Sequence, residues 1–198
     1  MKKITIQEAI KIQKDAKSKE RTPQERYLKQ IQFTRSIDTV KRLKKYFIGK
    51  VVEIGCELGH ASLEIEKLGF EVVGVDLIDS CVKQAKEKGV NAILGSMENL
   101  PFKDKEFDTG LYSHVLEHSF DFEKAITEAK RIFKRLIIVV PINDPYNIPC
   151  HTSRIENEDI IRKSFPGKVV FEDVWYRLNW KNEKGEDTKE FIYIVDLK

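Results

Sequence analysis

The sequence predicts a doubly wound α/β fold, a mostly parallel sheet between two layers of helices. Three observations predict it. Short apolar runs alternate with helical stretches from Lys50 to Val140. A glycine turn, Gly55-Cys56-Glu57-Leu58-Gly59, joins the first run to its helix. Two acids, Glu53 in the first run and Asp76 at the end of the second, stand 23 residues apart, the length of one strand–helix–strand unit.

Two helices are expected before this core. Thr5-Ile6-Gln7-Glu8 has the capping-box pattern, with Thr5 as N-cap and Glu8 three residues on. Thr22-Pro23-Gln24-Glu25 repeats it and adds a proline at the first helical position. The second helix should run to about Tyr46, because Phe33, Ile37, Val40, Leu43 and Phe47 fall on one face. Burying that stripe would contribute roughly 1.5–3 kcal/mol per large side chain. The chain thus divides into a helical N-terminal cap, 1–47, and a core, 48–198, within a single domain spanning 1–198.

The core elements follow in order. Strand one is about 50–54, and its helix about 59–68 ends at Gly69. Strand two is 70–75, and the helix 79–88 stops at Gly89, a C-cap signal. Strand three is Asn91-Ala92-Ile93-Leu94, and a loop with Pro101 leads to strand four, about 106–112. The next helix carries Phe122, Ala125, Ile126, Ala129, Ile132 and Phe133 on one face. Strand five, Leu136 to Val140, is apolar throughout, as a central strand should be, and Pro141 is expected to stop it. A long loop, 142–156, and a short helix, about 157–164, precede two closing strands, Lys168–Arg177 and Glu190–Asp196, joined by a polar turn at 182–186.

Composition narrows the class. Apolar residues make up 41% and charged residues 34% of the chain, the balance of a soluble protein. With no run of 18 apolar residues, no membrane span is expected. The first residues lack an apolar core of signal-peptide type. Cys56, Cys81 and Cys150 form no C-x-x-C pair and no metal-ligand spacing, which points to a reduced, cytoplasmic setting and to no metal. Net charge is only +3, yet residues 1–50 hold 15 Lys/Arg against 5 Asp/Glu. That imbalance reads as solvated helix faces or as a basic lid for an anionic partner such as RNA.

In a parallel unit Glu53 and Asp76 both reach the C-terminal rim of the sheet, where ligands bind. An acid there suits ribose hydroxyls, so a nucleoside-containing cofactor is expected. A dinucleotide would want G-x-G-x-x-G and a pyrophosphate on the helix N-terminus. Only Gly55 and Gly59 are present, and Glu57 between them repels a pyrophosphate and favours a cationic ligand.

These segments resemble class I S-adenosylmethionine-dependent methyltransferases, in their type 11 branch. Glu53-Ile54-Gly55-Cys56-Glu57-Leu58-Gly59 is similar to the family's first motif, and Asp76 to its ribose-binding acid. Gly95-Ser96-Met97-Glu98-Asn99-Leu100-Pro101-Phe102, followed by Phe107-Asp108, is similar to the adenine-side loop and fourth strand. Ser113-His114-Val115-Leu116-Glu117-His118 resembles the segment after that strand. The resemblance spans roughly 48–145 and implies a Rossmann-like seven-stranded sheet in three layers, with the last strand antiparallel. It implies S-adenosylmethionine as cofactor, held by Glu53, Gly55, Cys56, Gly59, Asp76, Leu77, Ser96, Met97, Ser113 and His114. Glu57 departs from the pattern at the middle glycine, and Ser96 stands where the branch has Asp. The proline-glycine-glycine turn before strand five is missing at Lys134-Arg135.

Methyl transfer to a small-molecule acceptor is therefore the leading expectation. Candidate acceptor-side groups are His118, His151 and Glu117, on loops at the same rim. Binding of the cofactor without catalysis, and methylation of RNA, are the alternatives.

Overall fold

The computed structural model describes residues 4–18, 35–142, 150–181 and 187–198. The sheet has seven strands: β1 (Val51–Ile54), β2 (Val72–Asp76), β3 (Ala92–Leu94), β4 (Phe107–Ser113), β5 (Phe133–Ile142), β6 (Lys168–Lys181) and β7 (Asp187–Asp196). Their order is β3-β2-β1-β4-β5-β7-β6. Pairing is parallel from β3 to β5, and β7 runs antiparallel to both β5 and β6. The expected architecture, including the one antiparallel C-terminal strand, is the one observed.

The helices are α1 (Ile6–Ser18), α2 (described over 35–43), α3 (His60–Lys67), α4 (Asp79–Glu87), α5 (Phe122–Ile132) and α6 (Glu158–Ser164). The capping box of α1 forms as read: Glu8 N–H donates to Thr5 Oγ1 at 3.2 Å, and Thr5 N–H donates back to Glu8 Oε2 at 2.7 Å. The second box, Thr22 to Glu25, and Phe33 lie outside the described residues.

Period-two alternation sorts the strands onto two cores. Leu136, Ile138 and Val140 of β5 and Phe191, Tyr193 and Val195 of β7 face the core built with α5 and α6. Ile137, Val139, Ile192 and Ile194 face the other, with Val40, Leu43, Phe47, Ala61 and Ile65. The stripe of α2 is thus part of the sheet packing. The Arg42 guanidinium, 3.5 Å above the Trp175 ring, and the Arg135 bonds to Asp196 (2.6 Å) and the Tyr46 carbonyl (3.1 Å) fix it there.

Two expectations about β5 are corrected. Phe133 begins β5 rather than closing the face of α5, because the chain passes from helix to strand without a loop. Pro141 lies inside the strand, paired with Glu190. Pairing of β5 with β4 ends at Val139, so beyond it only β7 flanks the strand and a residue without N–H is tolerated. Both closing strands also extend further than read, and residues 182–186, expected as a turn, lie outside the described residues. Among the described residues no helix is long and apolar enough to cross a membrane.

Candidate functional site

The loop after β1 is built by backbone geometry. Gly55 and Gly59 have φ of 75° and 76°, and a Cβ on either would meet Val115 or Val90 at 2.6 or 2.5 Å. Only glycine fits both demands. Gly55 and Cys56 N–H both donate to the Val75 carbonyl, which bends the chain over the end of β2. Glu57 also has positive φ, 47°, where a side chain costs about 1–2 kcal/mol. Its N–H donates to Asp76 Oδ2 at 2.9 Å, while Asp76 Oδ1 accepts from Ile78 N–H at 2.8 Å. Asp76 therefore clamps the strained loop to the end of β2.

Glu53 lies beneath this loop and accepts a hydrogen bond from Ser62 Oγ on α3. Burial pushes its carboxyl up to about 8; the Ser62 bonds oppose this, and the neighbouring Asp76 and Glu57 charges add to it. Cys56 belongs to a small apolar cluster with Val82, Ala85, Val90 and Ala92, and burial pushes its thiol up. It is a packing residue, which is the bland reading of a cysteine in such a turn.

Beyond β3, Ser96 Oγ donates to Glu98, and Glu98 Oε1 accepts from Ser119 Oγ (2.8 Å) and Phe120 N–H (3.0 Å). Glu98 is buried. It supplies a carboxylate two residues from Ser96, the position where the resemblance implies an acid. Arg131 of α5 holds the following loop through the Phe102 and Leu100 carbonyls.

On the far side, β4 is followed by His114, in positive φ (53°), with Nε2 3.2 Å from Glu190 Oε1 and Nδ1 3.7 Å from Glu117 Oε1. Arg35 of α2 also pairs with Glu190, tying the N-terminal segment to this rim. Burial alone would raise the Glu117 carboxyl, but His114, His118 and His151 outweigh it and hold it at about 2. Burial alone would lower His118; its bond to the Cys150 carbonyl and the Glu117 charge outweigh that and raise it to about 9. A carboxylate so acidic and an imidazole already protonated at neutral pH are poor proton acceptors.

A cleft of about 240 Å³ lies between these halves. Of the residues expected to hold a cofactor, Gly55, Asp76, Leu77, Ser96, Met97 and His114 line it, and so does His118 of the acceptor-side candidates. Glu53, Cys56, Gly59, Ser113, Glu117 and His151 lie behind or beside it rather than on its wall. Sequence reasoning missed Glu98, although it falls inside the quoted loop, and Cys150, although it adjoins His151. Gln13, which α1 brings to the wall, carried no signal at all. Tyr146, in the long loop expected over 142–156, lies outside the described residues.

Residues 52–138 match the family model for a methyltransferase domain. The motifs read from the sequence, from Glu53 to His118, all fall within this match, which covers 87 of the 198 residues. Among curated relatives, the chain is 40% identical over 81 residues to the uncharacterized protein MJ1123 of Methanocaldococcus jannaschii, an alignment covering 41% of this chain and 40% of that protein. It is 32% identical over 93 residues to the uncharacterized methyltransferase YcgJ of Bacillus subtilis, covering 43% of this chain and 37% of that one. The chain thus spans about two fifths of the curated relatives it matches. Among solved structures, the PH0226 protein of Pyrococcus horikoshii superposes with a TM-score of 0.63 at 21% identity, over 84% of this chain and 91% of that one. At that identity the likeness is one of fold.

Proposed function

We propose that this chain, which carries a methyltransferase domain over residues 52–138, binds S-adenosylmethionine in the cleft and transfers its methyl group to a small-molecule acceptor seated toward His118. One observation carries the reading. Glu57, Asp76 and Glu98 line the cleft, and no Lys or Arg is among the described residues that do. An acidic wall repels a pyrophosphate and suits a ligand bearing a sulfonium and an ammonium.

In this reading Asp76 takes the ribose hydroxyls. Its two N–H partners leave lone pairs to accept more, since a carboxylate offers about four sites. Leu77 and Met97 sandwich the adenine, and the Ser96–Glu98 pair accepts from its amino group. Glu53, beneath the methionine end, supplies negative charge once the cofactor's positive charge draws off its proton. The cofactor's sulfonium activates the methyl carbon, so the protein's main task is to align the acceptor in line with it. His114 stands at the junction of the two halves, where the reacting centre would lie.

Titration calorimetry with S-adenosylmethionine tests the binding, with micromolar affinity expected and Asp76→Ala abolishing it. No heat at millimolar cofactor would overturn the reading. Release of S-adenosylhomocysteine with a panel of thiol, hydroxyl and amine acceptors then separates transfer from binding alone.

A further inference from the structure

The acceptor end of the cleft holds a constellation that methyl transfer does not require. The turn Leu116–His118 after β4 and the segment 150–153 after β5 meet there. The His118 and His151 rings stand edge to face with centroids 4.7 Å apart. One ligand atom from each of His118, Cys150 and His151 lies within 4.8 Å of the other two. Their backbone is fastened in place. Ser153 N–H donates to the Glu117 carbonyl at 2.9 Å. Thr152 Oγ1 and Ser153 Oγ both donate to the Ser119 carbonyl, at 2.6 and 2.8 Å.

We propose that His118, Cys150 and His151 form a zinc site at the acceptor end of the cleft. Two imidazoles and a thiolate are a donor set that zinc takes in tetrahedral geometry. Bonds of about 2.0–2.3 Å put tetrahedral ligand atoms roughly 3.3–3.8 Å apart. The cluster therefore closes by about 1 Å when loaded, a change within reach of side-chain rotation. A metal-bound histidine usually donates its other ring N–H to a carbonyl, which fixes tautomer and ring orientation. His118 already has that partner: its Nδ1 is 2.9 Å from the Cys150 carbonyl, so Nε2 is the nitrogen it offers.

Glu117 is an independent sign. It is only 3% exposed, it adjoins His118 and His151, and its Oε2 has no hydrogen-bond partner among the described residues. A buried carboxylate oxygen without a donor is costly unless positive charge is near. A divalent cation held by His118 and His151 would keep positive charge there when His118 gives up its proton to bind it. His118 and Cys150 line the cleft, so the fourth coordination position of a three-ligand centre opens toward it. If the cleft binds cofactor as proposed, a metal there would hold an acceptor through an ionisable heteroatom and lower its pKa.

The test is metal binding itself, read without cofactor or activity. Metal-free wild-type protein titrated with zinc chloride should bind one equivalent. Cobalt(II) should give the intense visible bands of a tetrahedral site and the near-ultraviolet charge-transfer band of a thiolate ligand. Cys150→Ser should remove the charge-transfer band and weaken zinc at least 100-fold, and His151→Gln should weaken it comparably. Glu117→Gln should weaken it less. Circular dichroism of each variant controls for folding, and should Cys150→Ser unfold, the wild-type cobalt spectrum decides by itself. Absence of stoichiometric zinc in folded wild type, or a cobalt spectrum without the thiolate band, would overturn the site. Cofactor calorimetry with and without a chelator keeps the two readings separate, since binding in chelator supports the cleft assignment whether or not the zinc site exists.

Discussion

Glu53 and Glu117 are the same residue type, buried on the same rim of one sheet, yet the fold drives them in opposite directions. Glu53 is 6% exposed and its carboxyl sits at about 8. Glu117 is 3% exposed and sits at about 2. Burial acts the same way on both, so the difference comes from neighbours. Around Glu53 stand Asp76, Glu57 and one serine hydroxyl. Around Glu117 stand three histidines. One half of the cleft is lined by acids, and in the other the acid is set among histidines.

The comparison breaks most sharply at Asp76. Asp76→Ala removes both the proposed ribose acceptor and the clamp on Glu57, so cofactor affinity should fall more than 100-fold by calorimetry, about 3 kcal/mol. Unchanged affinity would mean that the acidic half is structural.

Glu53→Gln comes next, because it keeps the shape and removes the charge. A cationic cofactor favours ionised Glu53, so wild-type affinity should rise with pH up to about 8, with up to one proton released per cofactor bound below that value. The variant should bind roughly tenfold more weakly at pH 8 and lose that pH dependence. The same shift acts on stability. A raised carboxyl stabilises fully below 4.5, and that contribution is lost as pH rises toward about 8. Thermal melts of Glu53→Gln should be flatter across this window than those of wild type.

Glu117→Gln sharpens the opposite case. A depressed carboxyl stabilises above 4.5, and the contribution disappears as pH falls through about 2. Denaturant unfolding at pH 7 should show a loss of about 2–3 kcal/mol, with wild type and variant converging in acid. Equal stability at pH 7 would show that the histidine charges do not reach Glu117.

The smallest effect is expected at Glu57. Glu57→Gly relieves a positive φ of 47°, against a gain in unfolded-chain entropy, for a net stabilisation of about 0.5–1 kcal/mol. A lower melting temperature would mean that the Glu57 side chain contributes more than its backbone costs.

The two halves also differed in how legible they were. The acidic half was readable because its parts lie close together along the chain. Gly55, Gly59 and Asp76 belong to one strand–helix–strand unit, and backbone sterics fix what such a turn needs. Even its departure was visible: Glu57 stands where the pattern has glycine, and the backbone there has positive φ. Where the reading failed, neighbours decided. Pro141 does not stop β5, because β4 has already ended beside it. At Ser96, where the branch has Asp, the structure adds a neighbouring acid, Glu98, which accepts its hydroxyl proton.

By itself, then, the sequence determined the doubly wound sheet, the loop over β2 and the acids gathered at its rim. Periodicity, glycine geometry and short-range spacing are local properties, and they survive in a one-dimensional reading. Only the tertiary structure decided the other half. His118 and Cys150 are 32 residues apart, and they meet because β4 and β5 are parallel neighbours whose C-terminal ends share one rim. Glu190 reaches His114 from still further away because β7 returns antiparallel beside β5. No local signal carries such meetings. They follow from strand order, which is set by the packing of the whole sheet.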